Sequence, residues 1–350
     1  MAERGMTPGS KVQCASHAPA GWDDFVRAHP DGTYCHLSGW STVFAEAFGH
    51  PTLFLWAASD AGLTAVLPVV RMPTLSRGTV LVSVPYVNYG GPIGAPEACG
   101  DLVDEVIRLA RGSSALWLEL RNRNALADDG PLAPAREKVT VLMDLPTDAE
   151  VLMTEHFRAK LRSQIRRPQK EGMEARFGED QIDDFYSVFS RNMRDLGTPV
   201  LPVRFFRSMA RVFGPDVTFG VVRHEGRPVA AGCGLHFGDE FEMTWASSLR
   251  EYTRMAPNML LYWSFMEHSI GLGRRRFNFG RCTPGGGTHR FKLQWGSSDH
   301  PLGWTRWPAE GAPPEPESAA FQRASAIWRR LPLAVANRLG PALTRRIPTF

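Results

Sequence analysis

Lysine is scarce in this chain. Five lysines (Lys11, Lys138, Lys160, Lys170 and Lys292) stand against 35 arginines, a bias that a GC-rich genome would produce by itself. Cysteine is as sparse. Cys14, Cys35, Cys99, Cys233 and Cys282 are odd in number and scattered, and none forms a C-x-x-C pair or a Cys/His cluster at metal spacing. A disulfide framework and a structural zinc site are thereby disfavoured, and a reducing compartment is expected. Long apolar runs are missing too. The stretches that exist, such as residues 63–70, are strand-length and fall short of the roughly 20 residues a spanning helix needs. The first residues, MAERGMTPGSKVQC, lack the apolar core of a secretory signal. The expected location is therefore cytoplasmic. There is no G-x-x-x-x-G-K-[ST], H-E-x-x-H, G-x-S-x-G or EF-hand pattern, which removes the P-loop, zincin, serine-hydrolase and calcium-loop classes.

What remains is ample for a packed protein. The chain has 350 residues, of which 43% are apolar and 22% charged, with a net charge of +4. That length suggests two domains of roughly 150 residues. The 33 glycines and 27 prolines follow no Gly-X-Y period, so they mark loops rather than collagen. Residues 1–20 read as a flexible leader, 21–150 as an N-terminal domain and 151–308 as a C-terminal domain. Residues 309–350 read as a Pro/Glu linker with a basic, amphipathic tail. In the first half, helices precede strands at 53–58, 63–70 and 79–84, then a helix at 98–111 and a strand at 115–120. Pro131 and Pro134 fall in a polar break, and 139–142 reads as a strand closing that half. In the second half, helices at 183–193 and 203–212 precede a meander at 217–222, 228–236 and 240–246, with turns at Glu225-Gly226 and Gly238-Asp239. A helix opened by Pro257 and a strand at 277–279 follow. The two halves share this order, so a duplicated α/β (α+β) unit is expected.

Three places hold candidate chemistry. In the helix at 156–170, Arg158, Arg162 and Arg166 share one face, Lys160 and Arg167 another, and Leu161 and Ile165 form an apolar stripe; Pro168 is expected to kink or end it. Such a field suits phosphates, pyrophosphates or an RNA backbone, although a solvated charged face gives the same pattern. The strand ending in Asn278-Phe279-Gly280-Arg281 runs into a glycine-rich stretch and then Phe291-Lys292. A lysine so placed could hold a carboxylate or stabilise an oxyanion, or simply sit on a surface hairpin. Tyr86, Asn88 and Tyr89, before Gly90-Gly91-Pro92, resemble a pocket rim as much as a tight turn. His36, His50, His236 and His268 read as structural, Asp239 and Glu242 as solvated turn charges, and Phe237, Phe241 and Trp245 as sheet core.

Taken in order, several segments resemble the FemAB family. They are Lys160-Leu161-Arg162-Ser163-Gln164-Ile165-Arg166-Arg167 with Lys170-Glu171-Gly172, Pro228-Val229-Ala230-Ala231-Gly232, the helix start at 256–263, Phe277-Asn278-Phe279-Gly280, Phe291-Lys292 before Gly296, and Asn88-Tyr89-Gly90-Gly91-Pro92. The pattern looks most similar to the FemAB-like proteins that accompany exosortase/PEP-CTERM exopolysaccharide systems, over roughly residues 20–308. The resemblance implies two GNAT-like domains, each a mixed, largely antiparallel sheet flanked by helices. It also implies an acyltransferase that moves an acyl or aminoacyl group to an amine on a cell-envelope or exopolysaccharide precursor. Lys292 matches the family's active-site lysine. Tyr86, Asn88, Tyr89, Arg162, Arg166, Arg167, Arg281 and Phe291 become candidate substrate contacts, for a phosphate-bearing donor or precursor and for tRNA. The donor stays open between acyl-CoA and aminoacyl-tRNA. There is no room for the coiled-coil arm that helps some members hold tRNA, and residues 250–258 (REYTRMAPN) lack the glycines of a CoA pyrophosphate loop. A non-catalytic module for an anionic glycan or membrane-bound machinery is the remaining alternative, with the basic tail touching the inner membrane face.

Overall fold

A computed structural model of the protein describes residues 12–75, 77–126, 130–308 and 319–348. The chain divides into two compact units. One comprises residues 1–136 with 302–312 and 346–350, the other 137–301 with 313–345. The first unit supplies β1 (Gln13–Ala15), β2 (Thr52–Ser59), β3 (Gly62–Pro73), β4 (Thr79–Val82), β5 (Ile93–Gly94), β6 (Leu118–Asn122) and β7 (Ala133–Pro134). The second supplies β8 (Val139–Asp144), β9 (Glu174–Phe177), β10 (Val217–His224), β11 (Arg227–Phe237), β12 (Glu240–Ser248), β13 (Arg276–Cys282) and β14 (Ser298–Pro301). The chain then returns to the first sheet with β15 (Gly303–Trp307). The helices are α1 (Trp22–Ala28), α2 (Trp40–Phe48), α3 (Pro96–Gly112), the short α4 (Ala149–Val151), α5 (Ala159–Lys170), α6 (Ile182–Leu196), α7 (Val203–Phe213), α8 (Pro257–Gly271), α9 (Gly287–Leu293), α10 (Ala319–Trp328) and α11 (Leu333–Thr344).

In the first unit the strand order is β1-β2-β3-β4-β6-β15-β7, with β5 on β3. Only the β4–β6 pair is parallel. Strand alternation sends Leu55, Leu67, Val69, Leu118 and Leu120 to one face, where α3 covers them with Leu102, Val106 and Ala110. Phe54 points the other way and meets Trp22 of α1 edge-on, ring centres 4.9 Å apart.

In the second unit the order is β14-β8-β13-β12-β11-β10-β9, and here β12–β13 is the parallel pair. One face lies under α8 and α5. Apolar residues run around most of α8, and it is buried nearly all round, as a helix packed on both sides must be. The other face carries α6 and α7, where Phe185, Phe189, Phe206 and Trp245 pack in edge-to-face contacts. Both units are thus mixed, largely antiparallel sheets flanked by helices.

The structure departs from the sequence reading in four places. Residues 13–15, read as leader, pair with β2 and form an edge strand. The strand at 139–144 does not close the first half; it is inserted between β13 and β14 of the second sheet, so the division falls at 136/137 rather than at 150. Pro168 neither kinks nor ends α5. It lies buried in the last turn, with the helix continuing to Lys170. The tail packs on α6: Ser325 Oγ donates to Gly197 O at 2.7 Å, and Arg194 donates to Leu331 O at 3.0 Å. The expected linker at 309–318 and most of the expected leader lie outside the described residues. Among the described residues no helix is long and apolar enough to cross a membrane.

Gly220 and Gly232 face each other across β10 and β11 and leave a trough for the Phe265 ring of α8. A Cβ on Gly220 would lie 2.7 Å from that ring, and one on Gly232 2.9 Å from it. Gly220→Val should therefore cost ~1–3 kcal/mol by overpacking. Thermal unfolding checks this; an unchanged Tm would show that the trough is not tightly filled.

Candidate functional site

The parallel pair in the second sheet is short. Glu240 to Glu242 run beside Arg276 to Asn278, and after that the register ends and the strands part. Each strand is irregular at this point. On β12 the pairing with β11 shifts between Glu242 and Trp245. On β13 the pairing with β8 shifts between Asn278 and Arg281, where Gly280 takes φ 73°, a left-handed conformation that glycine adopts at no steric cost.

Asn278 fixes this divergence. Its side-chain oxygen accepts from Thr140 Oγ1 at 2.7 Å and from the Gly280 backbone N–H at 2.8 Å. Its amide nitrogen donates to Glu240 at 2.8 Å and to Glu242 at 3.3 Å. Glu242 is 1% exposed, and so is not the solvated turn charge that its sequence position suggests. Its strand carries it inward at the last paired position. That inversion explains why sequence reading passes over it: a Gly-Asp turn two residues upstream looks like an exposed tip. Asn278, quoted there only as part of a motif, is the residue that joins the two strands.

Lys292 closes the far side of the bulge. It lies on α9, a short helix rather than a hairpin, and is 3% exposed. Its ammonium donates to Gly280 O at 2.7 Å and to Arg281 O at 2.9 Å. An ammonium has three donors, so one is left uncommitted among the described residues. Burial pulls its pKa down to about 8; the nearby Cys282 and Glu242 charges oppose that fall, and Arg281 adds to it. The helix that carries it is pinned from a second side. His289 receives the Gly285 N–H on Nδ1 at 3.0 Å and reaches Asp299 of β14 through Nε2 at 2.8 Å.

An apolar wall stands beside the ammonium. Phe291 meets Tyr262 edge-on at 5.0 Å, and Tyr262 stacks on Phe279 at 5.7 Å. Burial pushes the Tyr262 phenol well above its ordinary value. Trp295 is 2% exposed, and its indole N–H finds no acceptor among the described residues.

The other sequence candidates lie elsewhere. Arg162 spends its guanidinium on Thr154 O and Phe157 O, at 3.1 and 2.7 Å, closing the turn before α5. Arg166 and Arg167 are exposed, as are Arg158, Lys160 and Lys170, and none has an ion-pair partner among the described residues. The apolar stripe Leu161, Ile165 and Pro168 is the buried side of the same helix. Tyr86, Asn88 and Tyr89 belong to the first unit and are all buried. The Tyr86 hydroxyl meets His50 Nε2 at 3.0 Å, its ring stacks on Phe48 at 4.3 Å, and Arg123 lies over the Tyr89 ring. No cluster of His, Cys, Asp and Glu fit for a metal ion occurs among the described residues.

Residues 155–293 match the acetyltransferase (GNAT) domain. The match opens just before α5 and ends one residue past Lys292. Solved structures show the same fold. The crystal structure of FemX aligns with a TM-score of 0.64 at 13% identity, covering 84% of this chain and 97% of that one. L-PGS from Bacillus licheniformis gives 0.55 at 12%, covering 93% and 98%. A tandem GNAT protein from the clavulanic acid biosynthesis pathway gives 0.55 at 13%, covering 87% and 100%. At these identities the likeness is one of fold: tandem GNAT-like domains. No curated protein sequence matches the chain.

The lysine has a signature that needs no substrate. Its ordinary pKa is 10.5 and its folded value about 8, so between those values the unfolded chain binds the extra proton. Stability should therefore rise with pH across that window. Denaturant titrations at pH 8 and pH 10 should show the rise in the native protein and lose that component in Lys292→Met. The same slope in both would mean that other groups produce it.

Proposed function

We propose that the chain is an N-acyl or aminoacyl transferase that forms an amide on an amine-bearing cell-envelope or exopolysaccharide precursor. The observation that carries this reading is the buried ammonium of Lys292, fixed beside the strand divergence of a GNAT domain with one donor uncommitted. An acceptor amine attacks the carbonyl of an activated ester or thioester, and the carbonyl oxygen gains negative charge. A donor already in place for that charge needs no reorganisation at the moment of reaction. Glu242 supplies the counter-charge that keeps the lysine protonated despite its burial. The exposed cations of α5, among them Arg166 and Arg167, offer a phosphate-binding face for the donor or the precursor.

Two donors fit the coarse chemistry. FemX and L-PGS share the fold, which supports an aminoacyl donor. The acetyltransferase domain match supports acyl-CoA. The entry to α8 weighs against a close pyrophosphate grip. Ala256 occupies a left-handed position, φ 57°, with a Cβ where glycine would allow closer approach, and Pro257 brings no N–H. We favour the aminoacyl ester. Calorimetric titration with acyl-CoA and with aminoacyl-tRNA separates the two; tight binding of CoA alone would reverse the choice.

With the donor in hand, Lys292→Met should lower kcat by ~10²-fold, the scale of one lost oxyanion donor, with the fold kept by circular dichroism. Full turnover would remove Lys292 from the mechanism. The reaction needs the ammonium, so the rate should fall as pH rises through about 8. In Glu242→Gln the supporting charge is gone and the lysine loses its proton earlier. The alkaline limb of the pH–rate profile should then move to lower pH. A limb that stays in place would show that Glu242 does not sustain the ammonium.

A further inference from the structure

The first unit has a parallel pair of its own, and what lies beyond it is different. β4 and β6 pair only across Leu81–Val82 and Leu118–Glu119. Past that point the chain from Ser83 to Gly91 folds back on β6. Ser83 N donates to Glu119 O at 2.9 Å, Arg121 N donates to Ser83 Oγ at 2.8 Å, and Gly91 N donates to Arg121 O at 3.2 Å. Beneath this loop lies a fully buried charged side chain. Arg121 is 0% exposed, and its partner Glu119 is 4% exposed. They are two apart on one strand, hence on one face, with Arg121 Nε donating to Glu119 at 2.9 Å.

A buried guanidinium needs acceptors for its remaining N–H groups. One goes to Val87 O at 3.2 Å. Another goes to Pro348 O at 2.9 Å, 227 residues along the chain. The plane lies over the Trp304 ring, 4.7 Å from its centre, and Trp304 is Arg121's register partner on β15. The fork of Arg121, floored by an indole, is thus completed by the chain's C-terminal segment. Residues 346–350 count with this unit, although the preceding helices α10 and α11 count with the other.

We propose that the niche of Arg121 and Trp304 is a binding site for a peptide carbonyl or carboxylate, and that its occupant in the intact chain is the chain's own C-terminal segment. The chemistry is that of a planar fork of donors over an aromatic face, which takes an oxygen acceptor in its plane and an apolar ring beside it. Pro348 supplies both: its carbonyl accepts, and its ring is buried. Nothing in this reading depends on the reaction assigned above.

The test removes the occupant and offers it back. A chain ending at Arg345 is titrated with a synthetic peptide of residues 341–350, followed by tryptophan fluorescence and by amide exchange at 83–91 and 118–122. The shortened chain should exchange about tenfold faster or more in those segments, since a buried donor has lost its acceptor. The peptide should restore protection, and the full-length chain should not bind it. A shortened chain carrying Glu119→Gln with Arg121→Met, which removes both buried charges together, should not bind it either. Unchanged exchange in the shortened chain, or a peptide that binds both charged and uncharged versions alike, overturns the proposal. Should the shortened chain fail to fold, full-length Pro348→Asp decides instead. Faster exchange confined to the two segments supports the site, and native exchange refutes it.

Discussion

An asparagine side chain can take part in four hydrogen bonds, and Asn278 uses its capacity to hold two strands at the place where they separate. Its oxygen binds the bulge of β13 and Thr140 of β8; its nitrogen binds two glutamates of β12. Without it, two acidic side chains and a looped-out glycine would share a buried space with no donor between them. Such unsatisfied groups cost about 1–3 kcal/mol each. With it, the Gly280 and Arg281 carbonyls stay oriented for Lys292, and the ammonium is positioned as a consequence of strand geometry. The chemistry of the site thus descends from one amide.

The two units spend the same topological feature in different ways. In each, one parallel pair is short and the strands then diverge. In the second unit the divergence is lined by Glu242, Asn278 and the bulge under Lys292. In the first, the Ser83–Gly91 chain returns over β6, and Arg121 fills the interior with Glu119 and Trp304. Backbone pairing explains the contrast. β13 bulges at Gly280 and presents its carbonyls to a side chain, whereas β6 keeps its register with β15 over all five residues and offers its backbone to the returning loop.

Much of the framework can be read from the sequence, because its signals are local. Glu225-Gly226 and Gly238-Asp239 mark the meander turns, and Pro257 marks the start of α8. The order of helices and strands in each half is legible for the same reason. What escapes depends on long-range pairing. Residues 139–144 have the alternation of any strand, and nothing local says that they join β13 rather than the sheet before them. β15 is too short to announce a return to the first sheet. Glu242 looks solvated because its turn is solvated, and only the parallel partner β13 reveals its burial. The α5 cations read alike in sequence, yet Arg162 is consumed by backbone carbonyls while Arg166 and Arg167 face solvent.

The scarcity of lysine gives the site a further meaning. Among the four described lysines, Lys292 is the buried one, in a chain that otherwise uses arginine for almost every positive charge. A guanidinium would not serve here. Its five donors lie in a rigid plane, whereas the two carbonyls at the bulge and a reacting oxygen call for donors spread around a point. Its charge is also fixed, while an ammonium weakened by burial titrates near neutral pH and feels a single carboxylate such as Glu242. Compositional drift toward arginine has thus run through this protein and stopped at the position where a compact, adjustable cation is held against a strand bulge, and it is the geometry of that bulge that makes the two residues unequal.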